Sequence, residues 1–145
     1  MEISTVRAEY EAATIKAFVL RGRQERFLYL LENPKRRKKF PDELGHFLWF
    51  DERYATAVLW KPDPGVGLWG RHISGIGNIS RLLRSKGAND NCWVISQMKG
   101  IDGKEMELDA ALEAVVGNGS GSILCCVPGK LAYFDGEDES LLLSR

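Results

Sequence analysis

The sequence predicts a single α/β domain in which a helical N-terminal third packs on a mixed sheet of four or five strands. Its 145 residues are the usual length of one domain, and 44% of them are hydrophobic, which is enough for one core. Apolar residues recur at helical spacing before residue 50, whereas short runs of β-branched and aromatic residues follow residue 54. We therefore expect a helical subregion at 1–50 and a mixed α/β sheet at 54–145, with an α+β fold as the alternative.

The helical third is expected to hold three helices. The first is indicated by apolar residues at helical spacing, namely Ala8, Ala12, Ile15 and Val19. Gly22 is expected to end or bend this helix, and a second helix covers 24–32. Asn33 is a favourable N-cap and Pro34 suits the first helical position, so a third helix is expected to begin there. Pro41 is expected to kink or split it.

Four later segments are rich in β-branched and aromatic residues and are bounded by Gly, Pro, Asn or Asp, which predicts strands. They are residues 54–60, 92–96, 122–127 and 131–134. Helical patterns at 73–87 and 107–117 separate the first three, so we expect two strand–helix–strand crossovers with parallel pairing. Continuous apolar runs in the middle two segments indicate strands buried on both faces. Pro128 and Gly129 predict a tight turn into a C-terminal antiparallel hairpin, and 141–144 is a candidate edge strand.

Parallel strands place their carboxyl ends at one edge of a sheet, where ligands commonly bind. The three loops that follow the predicted strands are 61–74, 97–104 and 128–130, and each contains glycine and a cationic residue. We therefore expect these loops to meet on one rim. The resulting candidate residues for a ligand or a partner are Trp69, Arg71, His72, Ser74, Lys99 and Lys130.

The segment GVGLWGRH at 65–72 approaches two phosphate-binding motifs and satisfies neither. A GxGxxG fingerprint opens its helix directly, whereas here the helix is expected to start only at Ser74. In a comparison with the P-loop, Arg71 stands in place of the lysine and His72 in place of the hydroxyl residue that binds magnesium. These differences exclude a nucleotide hydrolase. A weaker possibility is kept, in which Ser74 caps a helix whose first N–H groups bind an anion.

Residues 35–39 form a run of five cations near the start of the third predicted helix. Four of them are expected to point mostly away from the core face, which is typical of a solvated surface: Lys35, Arg36, Lys38 and Lys39. The alternative is a nucleic-acid site in which phosphate neutralisation dominates the affinity. That site would consist of Lys35, Arg36, Arg37, Lys38 and Lys39. Cations in the first turns of a helix oppose its dipole, which mildly favours a use for them.

The chain lacks the residue patterns of a catalytic or metal site, so we predict no catalytic residue, no metal and no cofactor. Cys92, Cys125 and Cys126 lie in apolar segments and are expected in the core. His46 and His72 do not have metal-ligand spacing. No apolar run approaches the roughly 18 residues of a membrane span, and no secretory segment is recognised, which predicts a cytoplasmic protein without membrane association.

Charge is unevenly distributed along a chain whose formal net charge is zero. Residues 1–100 carry 17 bases and 11 acids, whereas residues 101–145 carry 3 bases and 9 acids. The two parts either attract each other in the fold or leave a basic face for an anion. Without a catalytic set, the sequence favours a small non-enzymatic binding or accessory protein that acts through a protein partner. Nucleic-acid binding through residues 35–39 is the first alternative, and an enzyme or sensor for a phosphorylated or anionic small molecule at the strand ends is the second.

Overall fold

The computed structural model describes residues 8–44, 49–58, 67–116, 121–136 and 140–145. A π-helical turn, Ala8–Ala12, is followed by four helices, which are α1 (Ala13–Phe18), α2 (Arg21–Leu30), α3 (Pro34–Arg37) and α4 (Phe40–Leu44). A 3-10 turn at Glu52–Tyr54 and two further helices come later, α5 (Gly67–Ser85) and α6 (Leu108–Val115). The strands are β1 (Ala55–Ala57), β2 (Asn91–Ser96), β3 (Lys104–Glu107), β4 (Ser122–Val127), β5 (Leu131–Asp135) and β6 (Ser140–Ser144). Within these ranges, no helix has the length and apolar character needed to cross a lipid bilayer.

The six strands form one sheet in the order β1-β6-β5-β4-β2-β3, and every neighbouring pair is antiparallel. The structure therefore confirms the mixed α/β class, whereas the predicted four or five strands and the two parallel crossovers differ from it. The strands β2 and β4 are neighbours but run in opposite directions, with Trp93 opposite Cys125 and Ser96 opposite Ser122. The predicted C-terminal hairpin is present as β4 and β5. The candidate edge strand is present as β6, but the prediction that it lies at an edge is wrong, because β6 pairs with β1 on one side and with β5 on the other.

The predicted crossover after β2 differs because the sequence contains an unrecognised strand, β3. Its residues are Lys-Glu-Met-Glu at the sheet edge, so no apolar pattern marks it. A tight turn leads into β3, with Gly103 at a φ of 70°, a backbone conformation that glycine adopts without strain. Because β3 and β4 both pair antiparallel with β2, they are parallel to each other and α6 connects them. A parallel crossover is therefore present, but β2 lies between its two strands.

Alternate residues of a strand point to opposite faces of the sheet, and each face here has its own layer of helices. One face packs against the N-terminal helices in a core that includes Trp93, Ile95, Phe134, Phe18 and Phe40. The other face packs against α5 and α6 in a core that includes Val94, Leu124, Tyr133, Leu83 and Leu112. The sheet is the middle of three layers, which explains why β2 and β4 are nearly continuous apolar runs.

The start of α3 follows the expected N-cap chemistry. The Asn33 side chain accepts a hydrogen bond from the backbone N–H of Arg36 at 2.9 Å, and Pro34 occupies the first turn. The next helix, α4, begins at Phe40 as a separate element, with Pro41 as its second residue. The expected split beside Pro41 is therefore confirmed.

Truncation of Leu124 tests the packing of the face covered by α5 and α6. Its side chain is fully buried in β4, so Leu124→Ala is expected to lower the free energy of unfolding by about 2–5 kcal/mol through lost burial and a residual cavity. Urea denaturation followed by circular dichroism measures the loss. The exposed helix position Glu113 provides the control, because Glu113→Ala is expected to change stability by less than about 0.5 kcal/mol. Equal stability of both variants would contradict the packing of this face.

Candidate functional site

Arg37 is the buried member of the basic run, with 4% of its surface exposed. Its Nε and Nη2 atoms donate to the two carboxylate oxygens of Glu11 at 2.8 and 2.7 Å. Its Nη1 and Nη2 atoms also donate to the two oxygens of Asp102, each at 2.9 Å. Burial opposes the charged form of Arg37, but the hydrogen bonds with Glu11 and Asp102 outweigh burial and raise the pKa of Arg37. The guanidinium of Arg37, a member of the alternative nucleic-acid site, is therefore enclosed and paired within the protein.

The two carboxylates that hold Arg37 are anchored in turn. Glu11 is fully buried and accepts a hydrogen bond from Trp93 Nε1 at 2.9 Å. Asp102 accepts the backbone N–H of Ser96 at 3.0 Å. We refer to Glu11, Arg37 and Asp102 as the Arg37 network. This network joins the N-terminal π-helical turn, α3 and the turn after β2.

The other members of the basic run differ in their surroundings. Arg36 donates to Glu32 at 2.8 Å and to the backbone carbonyl of Tyr29 at 3.1 Å, and its guanidinium lies 4.1 Å from the centre of the Tyr29 ring. Lys35, Lys38 and Lys39 are exposed. The solvated face expected for the run is therefore formed mainly by three lysines. Their proposed contact with nucleic acid stays a prediction.

The loops predicted to share one rim do not share it. Because β2 and β4 are antiparallel, the residues that follow these strands leave opposite ends of the sheet, and so do Lys99 and Lys130. The helix α5 begins at Gly67 and contains Trp69, Arg71, His72 and Ser74. Ser74 is thus inside a helix and is not its N-cap, while residues 61–66 lie outside the described residues. The prediction of a common rim is therefore wrong. A binding role for the six candidate residues stays a prediction.

An open cleft of about 290 Å³ lies between the α1–α2 region and the turn that precedes β1. Its residues come from parts of the chain that are far apart in sequence. Four cationic side chains line it together with one carboxylate and one aromatic ring, and we call this group the basic cleft. Its members are Lys16, Arg21, Arg53, Arg145, Asp51 and Tyr54.

Backbone hydrogen bonds hold the two walls of the basic cleft together. The N–H of Leu20 donates to the carbonyl of Trp49 at 2.9 Å, and the N–H of Asp51 donates to the carbonyl of Phe18 at 2.8 Å. The side chain of Gln24 donates to a backbone carbonyl of the α1–α2 turn at 2.9 Å. Lys16 and Arg21 on one side and Arg53 on the other therefore project from segments whose relative position is fixed by the main chain.

Two of the cleft arginines are arranged around Tyr54. Arg53 donates from Nε and Nη2 to Asp51 at 3.1 and 2.7 Å, and Arg145 donates from Nη1 to the carbonyl of Ala17 at 3.2 Å. The guanidinium carbons of Arg53 and Arg145 lie 5.2 and 4.6 Å from the centre of the Tyr54 ring. Hydrogen bonds from Arg53, aided by the charges of Arg53 and Arg145, hold the pKa of Asp51 below its ordinary value of 3.8.

The remaining cations of the basic cleft have no acidic partner in the part of the chain that the structure describes. Lys16 and Arg21 are exposed, and neither forms an ion pair with a carboxylate of the described residues. Arg145 likewise forms no such ion pair, although the charge of Asp51 is close enough to respond to it. Asp51 therefore neutralises Arg53, and the other three cationic side chains have no carboxylate partner within the described residues.

The sequence contains no local signal for the basic cleft. Its cations stand singly at positions 16, 21, 53 and 145, so they form neither a run nor a motif. The excess of basic over acidic residues in the first hundred positions was the only related signal, and it does not identify which cations lack partners. Backbone pairing between distant segments brings the four residues together.

No family model, curated protein or solved structure matches this chain. Within the part of the chain that the structure describes, no group of three or more His, Cys, Asp or Glu residues is placed to hold a metal ion. Cys92, Cys125 and Cys126 are buried thiols as predicted. Burial raises the pKa of Cys125 and of Cys126 to about 12, so both are protonated and unreactive at neutral pH.

Replacement of Arg37 tests the Arg37 network. Arg37→Met leaves Glu11 buried without its cationic partner, and the free energy of unfolding is expected to fall by about 3–5 kcal/mol. The neighbouring Lys38 is exposed, so Lys38→Met is expected to change stability by less than about 0.5 kcal/mol. Urea denaturation of both variants measures the difference. A similar loss in the two variants would show that the network does not stabilise the fold.

Titration of Asp51 tests the electrostatics of the basic cleft. The pKa of Asp51 is expected below 3.8 in the wild-type protein and to move up towards that value in Arg53→Gln, as followed by NMR of the side-chain carboxyl carbon. Because folding lowers this pKa, the stabilising contribution is complete above pH 3.8 and is lost as the pH falls below it. An unchanged Asp51 titration in Arg53→Gln would refute the ion pair.

Proposed function

We propose that this protein binds an anionic ligand in the basic cleft. The observation that carries the proposal is the imbalance of charge in the cleft, where four cationic side chains meet one carboxylate although the whole chain has no net charge. Cations gathered in a concave site raise the local concentration of anions and donate charge-assisted hydrogen bonds to them. An anionic ligand agrees with the second alternative drawn from the sequence, but the site is different.

Binding is a better proposal for this cleft than catalysis. Asp51 is held by Arg53 and its pKa is lowered, which makes it a poor general base. The other charged side chains of the cleft are three arginines and Lys16, and arginine remains protonated in proteins. Such a set binds and orients an anion. The sequence-based preference for a non-enzymatic protein is kept in this proposal.

Calorimetric titration at low ionic strength tests the proposal with inorganic phosphate, sulfate, citrate and pyrophosphate. At least one of these anions is expected to bind, and the double variant Lys16→Gln, Arg21→Gln is expected to weaken that binding about tenfold or more through lost charge-assisted contacts. Added salt is expected to weaken it further. Lys86→Gln is the matched control, because Lys86 is an exposed cation just beyond α5, on the other side of the sheet.

Two results would contradict the proposal. The first is the absence of binding by every anion of the panel, and the second is an equal loss of binding in Lys86→Gln. A single-stranded oligonucleotide belongs in the same titrations. If the oligonucleotide binds and loses affinity when Lys35, Lys38 and Lys39 are replaced by glutamine, but not in the cleft variant, the basic run is the binding surface instead.

A further inference from the structure

On the basis of this proposed function, we infer that the ligand is a small molecule with two or more linked anionic groups, as in a diphosphate or a tricarboxylate. The inference depends on how many cations of the basic cleft are already neutralised. Arg53 uses Nε and Nη2 on Asp51, with the shortest contact at 2.7 Å. The cations that lack a carboxylate partner among the described residues are Lys16, Arg21 and Arg145.

Arg145 is the best-positioned of these three cations. One of its nitrogen atoms donates to the Ala17 carbonyl at 3.2 Å, and its guanidinium lies 4.6 Å from the centre of the Tyr54 ring. These contacts orient the group before a ligand arrives and leave further N–H donors unused, since a guanidinium has five. A pre-oriented arginine loses less conformational freedom on binding than a mobile one.

The three cations that lack a carboxylate partner among the described residues come from two separate parts of the chain. Lys16 and Arg21 lie before and after the α1–α2 turn, whereas Arg145 comes from the other end of the chain. The cleft volume is about 290 Å³, which leaves room for more than one acidic group. A ligand with several acidic groups can fill more of this space and contact cations on more than one wall.

Stacking of a nucleobase is disfavoured in this cleft, because two guanidinium groups already lie beside its aromatic ring. Arg53 and Arg145 both lie within about 5 Å of the centre of the Tyr54 ring, which reduces the surface left for stacking a base. This arrangement favours a compact anion over a nucleic-acid strand.

Calorimetry with pairs of simple anions tests the inference at constant ionic strength. Pyrophosphate is compared with inorganic phosphate, and citrate with acetate. In at least one pair, the anion with several acidic groups is expected to bind about tenfold more tightly, because it adds at least one charge-assisted contact. The pair with the larger ratio identifies the source of the acidic groups as phosphate or carboxylate.

Two single variants and one control make the test specific to the basic cleft. Arg21→Gln and Arg145→Gln are each expected to weaken the tighter multivalent anion about tenfold while leaving the corresponding simple anion less affected. Arg21 makes no hydrogen bond or ion pair through its side chain with the described residues, so its replacement keeps the test valid even if Arg145→Gln disturbs the Ala17 contact. Lys86→Gln, which replaces an exposed cation just beyond α5 on the other side of the sheet, is expected to change nothing.

The outcomes separate this inference from the proposed function. If simple and multivalent anions bind the cleft equally well within each pair, the inference is overturned while anion binding stands. If no anion binds, both fail. If a single-stranded oligonucleotide displaces pyrophosphate and binds more tightly than any small anion, the ligand is a nucleic acid and the inference is overturned as well.

Discussion

The burial of one positive charge constrains the arrangement of the helical layer on the sheet. A guanidinium taken out of water costs several kcal/mol unless it is paired and hydrogen bonded, and Arg37 meets this need only where Glu11 and Asp102 are both within reach. The three residues belong to different elements, so the π-helical turn, α3 and the turn after β2 must come together at one place. The bidentate geometry then specifies their relative orientation more narrowly than apolar packing alone.

The Arg37 network also helps to fix the position of α1, which forms part of the basic cleft. Glu11 lies in the turn that leads directly into α1, and Thr14 of α1 contacts the thiol of Cys125 on the sheet at 3.1 Å. Tyr10 stacks on Trp93 with ring centres 5.8 Å apart. The start of α1 is therefore fixed by polar and aromatic contacts. Because Lys16 lies in the same short helix, the position of its backbone is fixed as well. A cleft between rigidly placed segments binds an anion with a smaller loss of conformational entropy.

The sequence predicted local features better than it predicted strand direction. The cap at Asn33 was predictable because one side-chain oxygen and one proline determine it, whereas an apolar run such as Ile123 to Val127 is the same for a parallel or an antiparallel strand. The polar edge strand β3 has no apolar pattern in the sequence. Because β3 was not recognised, the direction of the next strand, β4, could not be inferred. Arg37 did carry a signal, since it stands three residues before Phe40 and seven before Leu44 on the core side. No comparable local signal in the sequence indicated the basic cleft.

Charge pairing within the fold also explains where the unneutralised charge remains. The basic first hundred residues and the acidic last forty-five do meet, as Arg37 with Asp102 and Arg84 with Asp109. These contacts neutralise one cation of α3 and one of α5, but they do not reach the α1–α2 turn. Neighbouring cationic side chains repel one another. An anion that binds between them reduces this repulsion and also forms hydrogen bonds with them. The strongest gain from binding an anion is therefore expected at the basic cleft, where three of the four cations have no carboxylate partner among the described residues.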